Sequence, residues 1–364
     1  MAIIGTFLLY FGMTCLVSVT INKSFYSKDI MKRRFFLIIS LFTPSLVAAL
    51  RKDTGTDSLN YQRIYENINS VVRYVDLETG YKWLMNLLQY YHMPYEALFF
   101  VMAFLTTLFV YLTLNREKEY IDVKTAVIMF MTSFYLMMFN TMRQSLAMAI
   151  CLYAFSLFVD KKYSKSLLLI FFACMFHRVA LLCLIIILGK ILFESKYSKF
   201  IIVVTCAVIL YLIFHREMLG AIVLYVTRSN YYASFITRDA STEGTVLKYF
   251  IKNSPMLLIA ILSYKNYGKC KHMQVFFALM LSGYFFSALG YITMTQVQRV
   301  GYYLSYLNII VISYCVKHDW HFGKLLIRKE YFKNVLYCYL LVIFFYDYFY
   351  AGYMDVVPDR GFGF

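Results

Sequence analysis

The sequence has 364 residues, of which 61% are hydrophobic, 20% are aromatic and only 15% are charged, and its formal net charge at pH 7 is +16. Soluble domains carry about 25% charged and about 45 to 50% apolar residues, so this composition excludes an ordinary water-soluble enzyme. A helix needs about 20 apolar residues to cross lipid, so most of the chain is expected to lie in a membrane.

Apolar runs that end at charged clusters predict the transmembrane helices in chain order. These runs lie at 2–21, 35–50, 95–114, 125–139, 144–159, 199–214, 247–264, 273–292, 300–316 and 334–351. The first run lacks a basic region and a cleavage site, as is typical of a retained helix rather than a signal peptide. Residues 166–188 have two interpretations: one long helix, or two short membrane segments that meet at His177 and Arg178.

The distribution of Lys and Arg favours the interpretation with a turn at His177, because positive loops face the cytoplasm. With that turn, the cytoplasmic loops hold 22 of the 36 basic residues and 8 of the 20 acidic ones. These loops are 22–34, 115–124, 160–165, 190–199, 265–272 and 317–333. The remaining segments are almost neutral, at +2, so the net charge sets the orientation and does not indicate a nucleic-acid partner.

The predicted fold is therefore all-α, a single polytopic membrane domain over residues 1–364 with about 12 transmembrane helices, within a range of 10 to 13. Both termini are predicted to be extracytoplasmic. The two larger loops, 51–94 and 215–246, fall on the same side, and the fold is expected to include an extracytoplasmic helical loop. Candidate site residues should therefore lie on the extracytoplasmic face.

The first candidate cluster follows the second predicted helix. It contains Arg51, the flexible stretch through Gly55 and Thr56, then Asp57 and Tyr61. Glycine permits a sharp turn that exposes backbone N–H groups, and an arginine at a membrane boundary can hold a phosphate bidentately. The alternative is that Arg51 extends to lipid headgroups and the rest is a solvated loop.

The second cluster is Asn140, Arg143 and Gln144, at the start of a predicted helix whose N-terminus favours an anion. The alternative is a helix cap by Asn140 or Thr141 with Arg143 extending to the headgroups. The third cluster is His177 and Arg178, within an apolar run. An ionisable group there is a functional candidate, although a structural histidine is the alternative.

A fourth, weaker cluster comprises Arg299 with Gln296 and Gln298 at the head of a later helix, together with Arg228, Tyr231 and Tyr232 in the loop 215–246. The signature sequences of nucleotide hydrolases, serine hydrolases and carboxylate-bound metal sites do not occur. The eight cysteines are scattered and lack the spacing of a zinc site. We therefore expect neither a metal nor a cofactor.

Taken in order, these residues resemble the EpsG-like family of bacterial polysaccharide polymerases, relatives of the Wzy oligosaccharide repeat-unit polymerases. The resemblance covers about residues 48–190. It consists of Arg51 through Asp57 with Tyr61, then Glu78-x-Gly80-Tyr81, Asn140-x-x-Arg143-Gln144 and Phe176-His177. Arg178 departs from the family pattern, which often has a small residue after the histidine.

The resemblance implies a metal-independent glycosyl transfer on the outer face of the bacterial cytoplasmic membrane. A growing glycan would pass from undecaprenyl diphosphate to the next lipid-linked repeat unit of an O-antigen, capsule or exopolysaccharide. On this hypothesis Arg51, Arg143 and Arg299 bind the diphosphate, and His177 or Asp57 is the general base. Asp57 and Glu78 could instead orient sugar hydroxyls or pair with Arg51.

The other site residues, Gly55, Thr56, Tyr61, Asn140, Gln144 and Arg178, are assigned to substrate binding. The expected partners are the lipid-linked oligosaccharide, the bilayer, and a chain-length regulator and flippase of the same pathway. Two alternatives of different class remain: a flippase or transporter for lipid-linked oligosaccharide, and an O-antigen ligase or membrane acyltransferase. A flippase would place cationic residues along the path through the membrane midplane, whereas these candidates cluster at one face.

Overall fold

A computed structural model of the chain describes residues 2–68, 77–184, 245–263, 270–292, 295–322 and 325–357, with a few single positions between 210 and 226. The described part is almost entirely helical. Its first two helices, α1 (Ala2–Tyr26) and α2 (Ile30–Leu50), pack against each other. Asp29 caps α2 by accepting hydrogen bonds from the backbone N–H groups of Met31 (2.8 Å) and Lys32 (3.3 Å). At Arg51 the backbone becomes extended and α2 ends.

The predicted helical loop 51–94 contains α3 (Ser58–Glu66) and α4 (Thr79–Tyr90). The chain then returns as α5 (Tyr95–Glu117), which packs on α2. Next come α6 (Val123–Phe130), a wider π-helical turn at Met131–Tyr135 and a tighter 3-10 turn at Leu136–Phe139. These turns bring Asn140 close to the end of α2.

Helix α7 (Met142–Val159) is the centre of this half of the molecule, because fifteen of its eighteen residues are buried. It packs between α5 and α8 (Tyr163–Cys174). After α8 the backbone is extended at His177, and a short helical turn covers Arg178–Leu181. The chain therefore breaks at His177, as in the interpretation with two short segments.

The C-terminal part begins with α9 (Thr245–Leu262) and α10 (Lys271–Ile292). Helix α11 (Thr295–Ser305) packs against α10 and is followed by α12 (Asn308–Cys315). A two-stranded antiparallel hairpin, β1 (Trp320–Phe322) and β2 (Leu325–Ile327), precedes α13 (Lys329–Phe344). Helical turns at Phe345–Tyr350 and Tyr353–Asp355 follow α13.

Among the described residues, six helices are long and apolar enough to cross a membrane: Ala2–Tyr26, Ile30–Leu50, Tyr95–Glu117, Met142–Val159, His272–Tyr291 and Lys329–Tyr350. Large apolar side chains such as Ile4, Phe35 and Val342 point outward, as expected for a lipid-facing surface. The prediction of an all-α polytopic membrane protein is confirmed. The total of about twelve transmembrane helices and the orientation of the termini remain predictions.

One predicted helix is divided in the structure, and one predicted helix and its following loop lie mostly outside the described residues. The run 300–316 is interrupted between Ser305 and Asn308, where α11 ends and α12 begins, so it is two short helices and not one. The run 199–214 and the loop 215–246, with Arg228, Tyr231 and Tyr232, fall outside the described residues apart from single positions.

Candidate functional site

Asn140 joins three segments that are distant in sequence. Its Oδ1 accepts hydrogen bonds from the backbone N–H of Asp57 (2.9 Å) and the hydroxyl of Thr56 (3.1 Å). Its Nδ2 donates to the carbonyl oxygen of Met354 (2.8 Å). The side chain is buried, so these bonds exchange little with water. Asn140 is therefore a connector inside the site and not the helix cap of the alternative interpretation.

The turn at Gly55 requires a glycine. Its φ is +96°, and a Cβ at this position would lie 2.8 Å from Oδ1 of Asn140. The N–H of Gly55 donates to the carbonyl oxygen of Asp355 (2.8 Å), and that of Thr56 donates to the carbonyl oxygen of Met354 (3.1 Å). The segment at Met354 and Asp355 thus holds the turn in place, and Thr56 and Asp57 remain exposed beside it.

Arg51 is 1% exposed, which excludes the alternative in which it extends to lipid headgroups. Its guanidinium lies 4.2 Å from the ring centroids of both Phe99 and Phe139, and its Nη2 donates to the carbonyl oxygen of Phe139 (3.4 Å). Such cation–π contacts hold the positive charge in an apolar setting. Tyr61 is also buried and donates its hydroxyl to the carbonyl oxygen of Asn140 (2.9 Å).

Arg143 forms an ion pair with Glu78. The Glu78 carboxylate is 1% exposed, whereas the Arg143 side chain is 26% exposed, so the arginine is the partner open to a ligand. The guanidinium also lies 5.4 Å from the ring centroid of Tyr81. The backbone N–H groups of Gly80 (2.8 Å) and Tyr81 (3.3 Å) donate to the carbonyl oxygen of Met175, which ties the Glu78 segment to the turn at His177.

His177 lies in that turn, between the helical segments, and is buried. Its Nδ1 is 2.7 Å from the hydroxyl of Tyr303, and the two rings are stacked. Burial lowers the pKa of His177 well below its usual value, and the positive charges of Arg299 and Arg143 lower it further. The imidazole is therefore neutral near pH 7.

Asp57 faces the same two arginines. Loss of hydration raises the pKa of its carboxyl above the ordinary value, while attraction to Arg143 and Arg299 opposes that rise. Arg299, from the C-terminal third of the chain, thus acts on residues of the N-terminal half. The structure brings four sequence clusters into one site around Asp57, Arg143, His177 and Arg299.

Two further predicted site residues follow Arg143 and His177 directly in sequence. Gln144 is buried on α7, and its Nε2 is 3.9 Å from Sδ of Met148 on the next turn of the same helix. Arg178 is half-buried at the start of the short turn after His177. Of the weak fourth cluster, Gln298 donates to the hydroxyl of Tyr302 (2.6 Å) and so braces α11.

Sequence inspection missed Tyr303 and the carbonyl groups of Met354 and Asp355. Tyr303 follows Arg299 by four residues, which places both on one face of a helix, and this spacing was the available signal. A backbone carbonyl has no residue signature. Among the described residues, no group of three or more His, Cys, Asp or Glu side chains is positioned to hold a metal ion.

The fold and the site together define a polytopic α-helical membrane protein with a partly buried cluster of arginines and carboxylates. A model of the EpsG family matches residues 34–359, and the chain belongs to that family. This match extends well beyond the stretch 48–190 on which the resemblance rested. No curated protein and no solved structure matches the chain. The family indicates a role of the polysaccharide polymerase type, with glycosyltransferase-like chemistry.

Proposed function

We propose that the protein is a bacterial polysaccharide polymerase of the cytoplasmic membrane. It transfers a growing glycan from undecaprenyl diphosphate to the next lipid-linked repeat unit on the outer face. The observation that carries this proposal is the convergence of Arg143, Arg299 and Asp57, with Arg143 open to a ligand and Asp57 exposed beside it. Membership in the EpsG family supports it independently.

The arginines stabilise the leaving group. In the transfer, a hydroxyl oxygen of the acceptor sugar forms a bond to the anomeric carbon of the donor. The bond from that carbon to the diphosphate oxygen breaks, and its electron pair leaves with the diphosphate. Arg143 and Arg299 supply positive charge where this negative charge develops, without requiring a metal. Arg51, whose guanidinium is held between the rings of Phe99 and Phe139, contributes a further fixed positive charge to the site.

Asp57 is the better placed of the two candidate bases. It is exposed beside the arginines, and its raised pKa makes it a stronger proton acceptor than an ordinary carboxylate. His177 is buried, its Nδ1 is engaged by Tyr303, and its lowered pKa makes it a weaker base. Asp57 therefore takes the proton of the acceptor hydroxyl, and His177 positions Tyr303 and the adjoining turn.

Glu78 and Asn140 organise the site. The Glu78 carboxylate orients Arg143, and Asn140 fixes the loop that carries Asp57. Gly55 and Thr56 lie on that loop, next to the place for the substrate. The hydroxyl of Tyr61 donates a hydrogen bond to the carbonyl oxygen of Asn140 and so helps to fix its backbone. The lipid carrier is held by the surrounding bilayer. A chain-length regulator and a flippase are the expected partners.

Complementation of a strain that lacks the gene tests the proposal. Arg143→Ala should abolish the ladder of lengthened glycans and leave single repeat units displayed on the cell surface. Arg143→Lys should retain a small fraction of the activity, because lysine keeps the charge but loses the bidentate fork. Arg63→Ala is the matched control, since Arg63 is exposed on α3 in the same loop. Membrane levels of all variants are compared by immunoblot.

Two results would overturn the proposal. If loss of the protein leaves no repeat unit on the surface, the protein acts as a flippase. If the glycan moves to an acceptor without an isoprenoid carrier, the protein acts as a ligase. A direct assay incubates the purified protein with lipid-linked repeat unit extracted from the deletion strain. Products longer than one unit should form in the presence of EDTA.

A further inference from the structure

A second concavity lies beside the arginine site. It has a volume of about 350 Å³, within the roughly 300 to 1,000 Å³ typical of small-molecule sites. Its walls come from α9, α10, α11, α12, α13 and the helical turns after α6 and α13. Five of the residues that line it are tyrosines: Tyr249, Tyr291, Tyr302, Tyr348 and Tyr353. The site of the proposed transfer does not use them.

The side chains in this tyrosine cavity combine aromatic faces with neutral polar groups. The rings of Tyr249 and Tyr291 lie 5.2 Å apart at an angle of 44°, so they form two adjacent tilted surfaces. The Tyr302 hydroxyl, bonded to Gln298, also interacts with the hydroxyls of Tyr291 and Tyr353. Asn253 adds an amide to the lining. Aromatic faces suit the C–H groups of a sugar ring, and hydroxyl and amide groups suit its hydroxyls.

The charges in the cavity disfavour a second diphosphate. Lys252 forms an ion pair with Asp347, so its positive charge is already balanced. Lys248 is exposed and lies 5.6 Å from the ring centroid of Tyr346. The interior is therefore close to neutral, in contrast with the arginine site. A neutral, hydroxyl-rich ligand fits such a lining better than an anion does.

The cavity and the arginine site are lined by neighbouring residues of the same segments. Tyr302 lines the cavity, and its neighbour Tyr303 binds His177. Tyr353 lines the cavity, and the next carbonyl, that of Met354, binds Asn140 and Thr56. A glycan attached to a diphosphate at the arginines could therefore extend into the cavity over a short distance.

We propose that the tyrosine cavity is a carbohydrate subsite that holds sugar units of the lipid-linked glycan next to the arginine site. This inference rests on the proposed function, because it assumes a glycan-bearing substrate. It adds a location for the sugars and names the residues that recognise them. Recognition comes from ring stacking on Tyr249 and Tyr302 and from hydrogen bonds to Tyr291 and Asn253.

The test compares two probes on the full-length protein in nanodiscs: lipid-linked repeat unit extracted from the deletion strain, and undecaprenyl diphosphate without sugar. The wild-type protein should bind the first more tightly than the second. Tyr249→Ala and Tyr302→Ala should weaken binding of the sugar-bearing probe by about tenfold or more and leave the bare lipid diphosphate unaffected. Ser305→Phe, which fills the cavity from its lining, should do the same.

Tyr350→Ala is the matched control, because Tyr350 is 78% exposed on the outer surface of the same terminal segment as Tyr348 and Tyr353. Thermal unfolding shows whether each variant remains folded. The inference is overturned if the wild-type protein binds both probes equally, a result that requires no variant, or if the folded variants bind both as the wild type does. Equal weakening for both probes also overturns it.

These outcomes differ from a failure of the proposed function. If the wild-type protein prefers the sugar-bearing probe through the tyrosines but never lengthens it, the subsite stands and the polymerase assignment falls. If polymer forms but the tyrosine variants bind normally, the assignment stands and the subsite falls. Arg143→Ala should weaken both probes alike, which separates the diphosphate site from the sugar site.

Discussion

Asn140 Oδ1 accepts a hydrogen bond from the backbone N–H of Asp57 at 2.9 Å, across 83 residues of sequence. The same amide donates to Met354, near the end of the described chain. One buried side chain therefore fixes the loop that presents Asp57 relative to both the central helix α7 and the C-terminal turn. The position of Asp57 against Arg143 and Arg299 depends on this amide more than on the flexible loop itself.

Asn140→Ala should release that loop. The substitution removes three hydrogen bonds and leaves the N–H of Asp57 and the carbonyl oxygen of Met354 without this partner, at a cost of roughly 1 to 3 kcal/mol in the free energy of unfolding. Asn140→Asp keeps the oxygen acceptor but loses the bond to Met354, so its loss should be smaller. Polymer ladders and thermal unfolding in detergent measure the two effects.

Asn67→Ala is the control for Asn140→Ala, because Asn67 is an exposed residue whose side chain bonds to the Arg63 carbonyl oxygen in its own helix. It should change neither polymer length nor stability by a measurable amount. Normal polymer in a well-folded Asn140→Ala protein would contradict the role of this amide as the connector of the site.

Gly55→Ala should damage the site more than its single methyl group suggests. The residue has φ of +96°, which alanine avoids, and the added Cβ would lie 2.8 Å from Oδ1 of Asn140. Strain of this kind costs on the order of 1 to 3 kcal/mol.

Gly12→Ala is the matched control, since no atom lies within 4 Å of its Cβ position on α1. We expect normal polymer from the control and a strong loss from Gly55→Ala, measured at equal membrane levels. Equal behaviour of the two variants would remove the basis for this prediction.

The sequence predicted much of the site because its side chains are chemically distinctive. Arginines, a histidine and an asparagine stand out in apolar surroundings, and their order along the chain matched a family pattern. The break at His177 also followed from polarity and loop charge. Each of these signals depends on residue types and their order along the chain, so it requires no knowledge of the packing.

The remaining features depend on contacts between distant segments. The carbonyl groups of Met354 and Asp355 hold the loop at Gly55, but any residue can supply a carbonyl. The end of α11 at Ser305 lies within a run that contains no charged residue, so hydropathy did not indicate it. The burial of Arg51 between two phenylalanine rings likewise depends on α5 and α2 being adjacent.

The ion pair between Arg143 and Glu78 allows stability and activity to be separated. Arg143→Ala leaves the Glu78 carboxylate, 1% exposed, without this ion-pair partner, and should lower the free energy of unfolding by roughly 2 kcal/mol or more. The double variant Arg143→Ala with Glu78→Gln also removes the negative charge of the Glu78 carboxylate. It should regain most of the lost stability but none of the polymer, because the diphosphate still lacks its arginine.

Thermal unfolding and polymer length, measured on the same four proteins of the double-mutant cycle, test this separation. The fourth protein, Glu78→Gln, keeps Arg143 but loses its orienting carboxylate, so we expect reduced activity and near-normal stability. Recovery of polymer together with stability in the double variant would show that Arg143 has only a structural role.

The pH dependence of polymerisation distinguishes the two candidate bases. If Asp57 is the base, the rate falls as pH falls through its pKa, which loss of hydration raises above the ordinary carboxyl value of about 3.9. His177, whose pKa is lowered by burial and by the nearby arginines, should contribute no change in rate near its unperturbed pKa of about 6.5. The measurement is the initial rate of chain extension by purified protein at fixed ionic strength.

Asp57→Asn should remove nearly all activity at every pH, whereas His177→Gln should lower the rate without moving the acid limb. An acid limb that disappears in His177→Gln would instead identify His177 as the base.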